Sequence, residues 1–241
     1  MKIIKVDDYE KMSEAAAALL ADVLSEKEDA TLGLATGSTP IGLYKKLIEW
    51  NKEGTLNFEK VRTVNLDEYV GLPRESENSY YSVMHEFFFD HINIKEENTH
   101  LPDGMNENIN EECIKYENLI ESLGGVDLQI LGVGHNGHIG FNEPGTSFDS
   151  KVHIVDLTDE TINANKRFFE SESDVPRKAI TMGIGTIMKA KKIILVASGD
   201  GKADIMKKII EGPVTEDVPA SILQNHPDCI IIADNAALSK I

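Results

Sequence analysis

Short apolar runs bounded by turn residues alternate along this chain with longer segments in which apolar positions recur every three or four residues. Lys2 to Val6 reads as a strand, and Tyr9 to about Glu28 as a helix of strong formers around Ala15-Ala16-Ala17-Ala18-Leu19-Leu20. Thr31 to Ala35, Val61 to Leu66, Val126 to Leu131, Lys151 to Leu157, Ala179 to Met182, Lys192 to Ser198 and Cys229 to Ala233 read as further strands. Between them Ile41, Leu43, Tyr44, Leu47 and Ile48 keep helical spacing. Asn78 to about His91 reads as a helix rich in aromatics, and Ile109 to Leu123 as a helix stopped by Gly124-Gly125. Helix starts are also expected at Thr158-Asp159-Glu160-Thr161, after Gly183 and at Gly199-Asp200-Gly201-Lys202, with a helical turn from Ala220 to Asn225.

Apolar strands alternating with helices imply βαβ units. The expected fold is therefore α/β: an open, mostly parallel, Rossmann-like sheet with right-handed crossovers and helices on both faces. With neither linker nor repeat in view, residues 1–241 are read as one domain, and the polar, glycine-flanked segment 145–176 around Lys166-Arg167 as a lid.

Composition narrows the function classes. Acidic residues number 41 against 24 basic, a net charge of −17, so a basic footprint for nucleic acid or an anionic membrane is missing and an anionic substrate needs a locally built site. Cys113 and Cys229 stand far apart without C-x-x-C spacing, which suggests neither a zinc site nor a disulfide framework and suits a reducing compartment. The N-terminus turns acidic at Asp7-Asp8, too soon for a signal peptide, and no apolar run approaches the roughly 18 residues of a membrane span, so a cytoplasmic location is expected.

Candidate chemistry gathers at strand ends. Ile130 to Gly145 leaves a strand and combines glycines at 132, 134, 137 and 140 with His135, Asn136, His138 and Glu143, putting proton-transfer groups where the backbone bends sharply. An ordinary turn between buried strands is the alternative. His135 and His138 lack a third ligand at a recognised metal spacing. Thr36-Gly37-Ser38-Thr39-Pro40 links a strand to a helix and can present backbone N–H groups and hydroxyls to a phosphate, or Thr39 can simply cap that helix. It fits neither G-x-G-x-x-G nor the P-loop, which disfavours dinucleotides and nucleoside triphosphates. Asp67-Glu68 follows the strand ending at Leu66, where open α/β sheets bind ligands; one of the two acids is a catalytic candidate, and both as solvated loop residues is the alternative.

Five stretches together carry a family resemblance over nearly the whole chain: Leu34-Ala35-Thr36-Gly37-Ser38-Thr39-Pro40, Asn65-Leu66-Asp67-Glu68-Tyr69-Val70-Gly71-Leu72, Ser79-Tyr80-Tyr81, Gly132 to Pro144, and Asn165-Lys166-Arg167-Phe168-Phe169. In this order they resemble the glucosamine-6-phosphate deaminases, hydrolases of amino sugar metabolism. The resemblance implies conversion of D-glucosamine 6-phosphate and water to D-fructose 6-phosphate and ammonia without metal or organic cofactor. It implies Asp67 as the enolisation base and His138 with Glu143 as the ring-opening pair, and it makes Thr36, Gly37, Ser38, Thr39, Arg167 and Lys202 the phosphate-binding set. Monomer and homo-oligomer remain open.

Two departures from that family bear on mechanism. Asn136 stands where many members have Asp, so the histidine is expected to be less strongly favoured as a cation. His153 and Val155 occupy positions where allosteric hexameric members carry a basic pair, and the C-terminal tail is shorter, which implies no activation by N-acetylglucosamine 6-phosphate. The 6-phosphogluconolactonases are the nearest rival, opposed by Asn142-Glu143-Pro144 and Asp67-Glu68-Tyr69. A silent sugar-phosphate sensor is opposed by the complete proton-transfer set.

Overall fold

The computed structural model describes residues 1–158, 162, 169 and 174–241. In chain order the strands are β1 (Lys2–Val6), β2 (Thr31–Leu34), β3 (Arg62–Asn65), β4 (Asp67–Tyr69), β5 (Thr99–His100), β6 (Leu128–Leu131), β7 (His153–Asp156), β8 (Lys178–Thr181), β9 (Lys192–Ala197) and β10 (Cys229–Asp234). The helices are α1 (Tyr9–Glu26), α2 (Ile41–Lys52), α3 (Tyr80–Phe87), α4 (Ile109–Ser122), α5 (Ile184–Ile187) and α6 (Ala203–Glu211).

Seven strands form one parallel sheet in the order β1-β10-β9-β6-β2-β3-β5. Its central strands are apolar on both faces because both are covered. Along β9, Ile193, Leu195 and Ala197 enter the core beneath α4 and α6, while Ile194 and Val196 enter the core beneath α1 and α2. That alternation is the period-two geometry of a strand, and double burial explains why the sequence shows a continuous apolar run.

Helix α1 forms where good helix formers follow a capping aspartate: the Asp8 carboxylate accepts from the Lys11 N–H at 2.8 Å, and Met12, Ala16, Leu20 and Leu24 turn to the sheet. The expected helix from 78 to 91 is shorter. It begins at Tyr80 behind its Ser79 cap and ends at Phe88, whose φ of −146° leaves helical space; Phe89–His91 continues as a 3-10 turn. The break lets the Phe88 ring stack on Tyr44, with centroids 4.8 Å apart, and meet Phe58 edge-on at 5.6 Å.

A second sheet departs from the simple βαβ expectation. β4, β8 and β7 pair antiparallel, with Asp67 opposite Thr181 and His153 also opposite Thr181. Asp67 and Glu68 are consequently strand residues, 6% and 3% exposed, rather than solvated loop acids. Residues 159–161 of the expected helix start and most of the basic stretch 165–169, including Arg167, fall outside the described residues, as does part of the expected lid.

Candidate active site

All seven strands of the large sheet run the same way, so the segments leaving β2, β3, β6, β9 and β10 emerge along one edge. From β2 the chain moves to β3 and β5 on one side, then returns to β6 on the other. β2 and β6 therefore flank a topological switch point, where their following loops diverge and open a crevice. Thr36–Thr39 leaves β2 and Gly132–Glu143 leaves β6, so the two richest motifs flank that crevice.

The loop after β2 is pinned from behind. The Tyr44 hydroxyl donates to the Ala35 carbonyl at 2.6 Å and accepts from the Ala35 N–H at 3.2 Å; Tyr9 donates to the Ser38 carbonyl at 3.1 Å and accepts from the Gly42 N–H at 2.9 Å. Gly37, with φ of +93°, makes the turn. Pro40 stands at the N-cap of α2 without a side-chain cap bond, so Thr39 does not act as the cap. Thr36, Gly37 and Ser38 instead line a groove of about 500 Å³ with Tyr69, Tyr80 and Phe169.

The loop after β6 is folded around its glycines. The His138 ring lies against Gly134, where a Cβ would come within 2.2 Å of Cε1. His138 Nδ1 is 3.3 Å from Glu143 Oε1, within ion-pair reach but off a hydrogen-bond line. Asn136 joins the two residues: its amide donates to Glu143 Oε2 at 2.6 Å and its carbonyl oxygen accepts from the His138 N–H at 3.1 Å. The imidazole beside Glu143 holds that carboxyl below the usual range against the effect of burial, with Asn136 adding to it. Asn142 closes the turn, its buried amide donating to the carbonyls of Ile139 and Met182 at 2.8 Å each. Gly140, at φ +57°, lies between the two regions: a Cβ there would stand 2.8 Å from Thr181 Oγ1 and 3.6 Å from Asp67 Oδ2.

Neighbouring acids in β4 have divergent surroundings because alternate strand residues face opposite ways. Glu68 accepts from the N–H groups of Tyr69, Tyr80 and Tyr81 at 2.8, 2.9 and 2.9 Å, so it ties β4 to the start of α3. Burial still pushes its carboxyl up, with these donors opposing the shift. Asp67 has no such donors among the described residues. Burial first and the Glu68 charge second push its carboxyl up to about 8. A buried carboxyl that titrates near neutrality beside a crevice has the properties of a general acid–base group.

The family described as glucosamine-6-phosphate isomerases/6-phosphogluconolactonase matches residues 7–231. The chain belongs to this family. A glucosamine-6-phosphate deaminase from Thermoanaerobacter pseudethanolicus is 56% identical over 241 residues, all of this chain and 95% of that relative. One from Clostridium botulinum is 54% identical, covering all of this chain and 99% of the relative. A solved structure described as a monomeric glucosamine-6-phosphate deaminase superposes with a TM-score of 0.97 at 47% identity, covering 100% of both chains. The 6-phosphogluconolactonase of Thermotoga maritima shares the fold, with a TM-score of 0.77 at 22% identity over 97% of this chain and 99% of that one.

Within this family framework, Asn136, His138 and Glu143 form one connected group, while Asp67 approaches the same turn through Gly140. Lys202 joins the opposite end of that loop, its ammonium donating to the Val133 carbonyl at 2.7 Å, and burial lowers its pKa. The sequence does not single out Thr181, which accepts from the Phe141 N–H at 3.1 Å, and gives Tyr80 only as part of a family motif without a role. Tyr80 stacks on Phe141, with centroids 6.2 Å apart, and its hydroxyl donates to that of Tyr69 at 3.2 Å. The Ser79-Tyr80-Tyr81 motif was the available signal.

Proposed function

We propose that the protein converts D-glucosamine 6-phosphate and water to D-fructose 6-phosphate and ammonia in the cytoplasm. The observation that carries this reading is the arrangement of two proton-transfer stations on either side of Gly140: buried Asp67, and His138 paired with Glu143. A lactone hydrolysis needs water activated at one carbonyl. An aldose–ketose isomerisation needs a ring to open before its C2 proton becomes acidic, so it needs proton transfer at two places.

In this reading the sugar phosphate binds with its phosphate against Thr36–Thr39 and Lys202, while Arg167 belongs to the same set by family resemblance. The anchored phosphate positions the reacting carbons from a distance. His138 takes the anomeric hydroxyl proton and a proton is delivered to the ring oxygen, opening the ring. Glu143 steadies the imidazolium and Asn136 orients Glu143. Asp67 then removes the C2 proton, leaving an enolamine, and returns a proton to C1 to give a C2 iminium. Water adds at C2, ammonia leaves and the ketone forms. The chain acts as one domain, and Phe169, from the segment expected to form the lid, lines the groove.

Purified protein incubated with glucosamine 6-phosphate is expected to release ammonia and fructose 6-phosphate in equal amounts. Turnover of 6-phosphogluconolactone alone would transfer the reading to the lactonases, and turnover of neither substrate would leave a binding protein.

A further inference from the structure

Lys202 stands out among the lysines because it is half-buried yet meets no carboxylate among the described residues, its ammonium donating instead to the Val133 carbonyl. Lys191, Lys192 and Lys240 each meet an aspartate, as expected in a chain of net charge −17. An unneutralised ammonium beside the crevice is available to an anion, and its usefulness depends on where its backbone is held. That backbone is the turn from Gly199 to Lys202, closed by the Lys202 N–H donating to the Gly199 carbonyl at 3.1 Å.

The turn has one buried anchor. Asp234, the last residue of β10 and 5% exposed, accepts from the Ser198 hydroxyl at 2.5 Å and from the Gly199 N–H at 3.1 Å to both carboxylate oxygens. Gly199 sits at φ +92°, a conformation that an L side chain would strain, so the carboxylate grips the point where the chain leaves strand geometry. Beyond the turn, the Lys202 ammonium reaches the Val133 carbonyl next to Gly134, against which His138 rests.

We propose that Asp234 is a positioning residue for sugar-phosphate binding: through Ser198 and Gly199 it fixes the Gly199–Lys202 turn so that the Lys202 ammonium faces the phosphate. This rests on Lys202 being a phosphate ligand, as in the proposed function. Burial acts to raise the Asp234 carboxyl, but Ser198, Ala237 and Gly199 donate to it and hold it below the usual range, so it remains an anionic acceptor. Asp234 also accepts from the Ala237 N–H at 2.7 Å, an anchor for the C-terminal turns. Ser198→Ala separates the two roles by removing one of the bonds to the turn while leaving the Ala237 anchor in place.

The test compares wild type, Asp234→Asn, Ser198→Ala and Lys202→Ala in steady-state deamination and in inhibition by inorganic phosphate. Asp234→Asn and Ser198→Ala are expected to raise both KM and the phosphate inhibition constant by about 3- to 20-fold with kcat within about twofold, the pattern of lost uniform binding. Unchanged KM and inhibition constants in both variants, with Lys202→Ala impaired, would overturn the positioning role alone. If Lys202→Ala leaves phosphate inhibition untouched, the phosphate-site reading fails and takes this proposal with it. A fall in kcat matching a lost folded fraction, at constant KM, would assign Asp234 a purely structural role and overturn the proposal. Should Asp234→Asn not fold, Ser198→Ala decides by the same constants.

Discussion

Replacing Asp67 by Asn is expected to stabilise the fold while abolishing the reaction, and the stabilisation should grow with pH. The carboxyl is 6% exposed, has no cation beside it among the described residues, and is pushed from its ordinary 3.8 to about 8 by burial and by Glu68. Between those values the folded protein keeps a proton that the unfolded chain has released. Stability contributed by the neutral carboxyl is thus fully present below about pH 4 and is lost as pH rises toward 8. At about 1.4 kcal/mol per unit, retaining the proton that the unfolded chain releases costs the fold about 3 kcal/mol near pH 6 and about 5 kcal/mol near pH 8, upper values because entering water relieves part of the penalty. Asn keeps the shape of the neutral acid and does not titrate. Urea unfolding of both proteins across about pH 5 to 8 checks this by the difference between their free energies, in which the other titrating groups cancel. A difference that stays constant with pH would refute the assigned burial of charge. Loss of C2 proton exchange with solvent checks the catalytic half; retained exchange would remove Asp67 as the base.

The same titration predicts that kcat/KM rises about tenfold per pH unit before levelling near 8, and a profile flat through that range would contradict it. Glu68→Gln should move that limb to lower pH by removing the neighbouring charge and should cost about 2–4 kcal/mol through the three N–H groups left without a carboxylate; circular-dichroism melts and a pH profile read both. Glu143→Gln should slow ring opening by about 10²- to 10⁴-fold with little change in phosphate inhibition, measured by stopped-flow on the closed sugar, and unaltered opening would dismiss the pair. Gly134→Ala places a methyl 2.2 Å from His138 Cε1, so kcat should collapse while stability changes by less than about 1 kcal/mol; full activity would mean that the ring position is unimportant.

The central strands of the large sheet were legible because they are doubly buried, whereas two-residue β5 sits in a polar stretch that read as irregular. A run such as Lys192–Ala197 has no polar face to disguise it, and the strand–loop–helix rhythm carries the parallel topology. In the small sheet β7 and β8 were legible as strands, but β4 and the antiparallel pairing were not. β4 is three residues long and begins with two acids, so its local pattern resembles a solvated turn; it is a strand because β8 supplies partners and α3 supplies donors to Glu68. The choice between Asp67 and Glu68 needed those same donors, which come from residues 12 and 13 positions further on. By contrast, the loop of residues 132–145 was legible because its pairs are short-range. Asn136 meets Glu143 seven residues away, whereas Thr181 enters from forty residues away with no trace in the motif.

Asp67 and the His138 pair differ in surroundings, and this difference bears on substrate choice. A carboxyl titrating near 8 is only about one-tenth ionised at neutral pH, which would leave a weak supply of base in the free protein. Glucosamine 6-phosphate brings an ammonium on C2, next to the proton to be removed, and an opposite charge within about 4–6 Å lowers a carboxyl pKa by about 1–3 units. The amino sugar therefore ionises its own base on binding. Glucose 6-phosphate, with a hydroxyl at C2, binds without that charge and leaves Asp67 protonated. Ionisation alone should favour the amino sugar by about five- to tenfold near pH 7, shrinking to near unity by about pH 9, where the free carboxyl is already charged. C2 proton exchange of both sugars in deuterated buffer measures this ratio directly. A ratio that does not fall with pH would mean that discrimination comes from contacts to the C2 substituent and that Asp67 is ionised before substrate arrives.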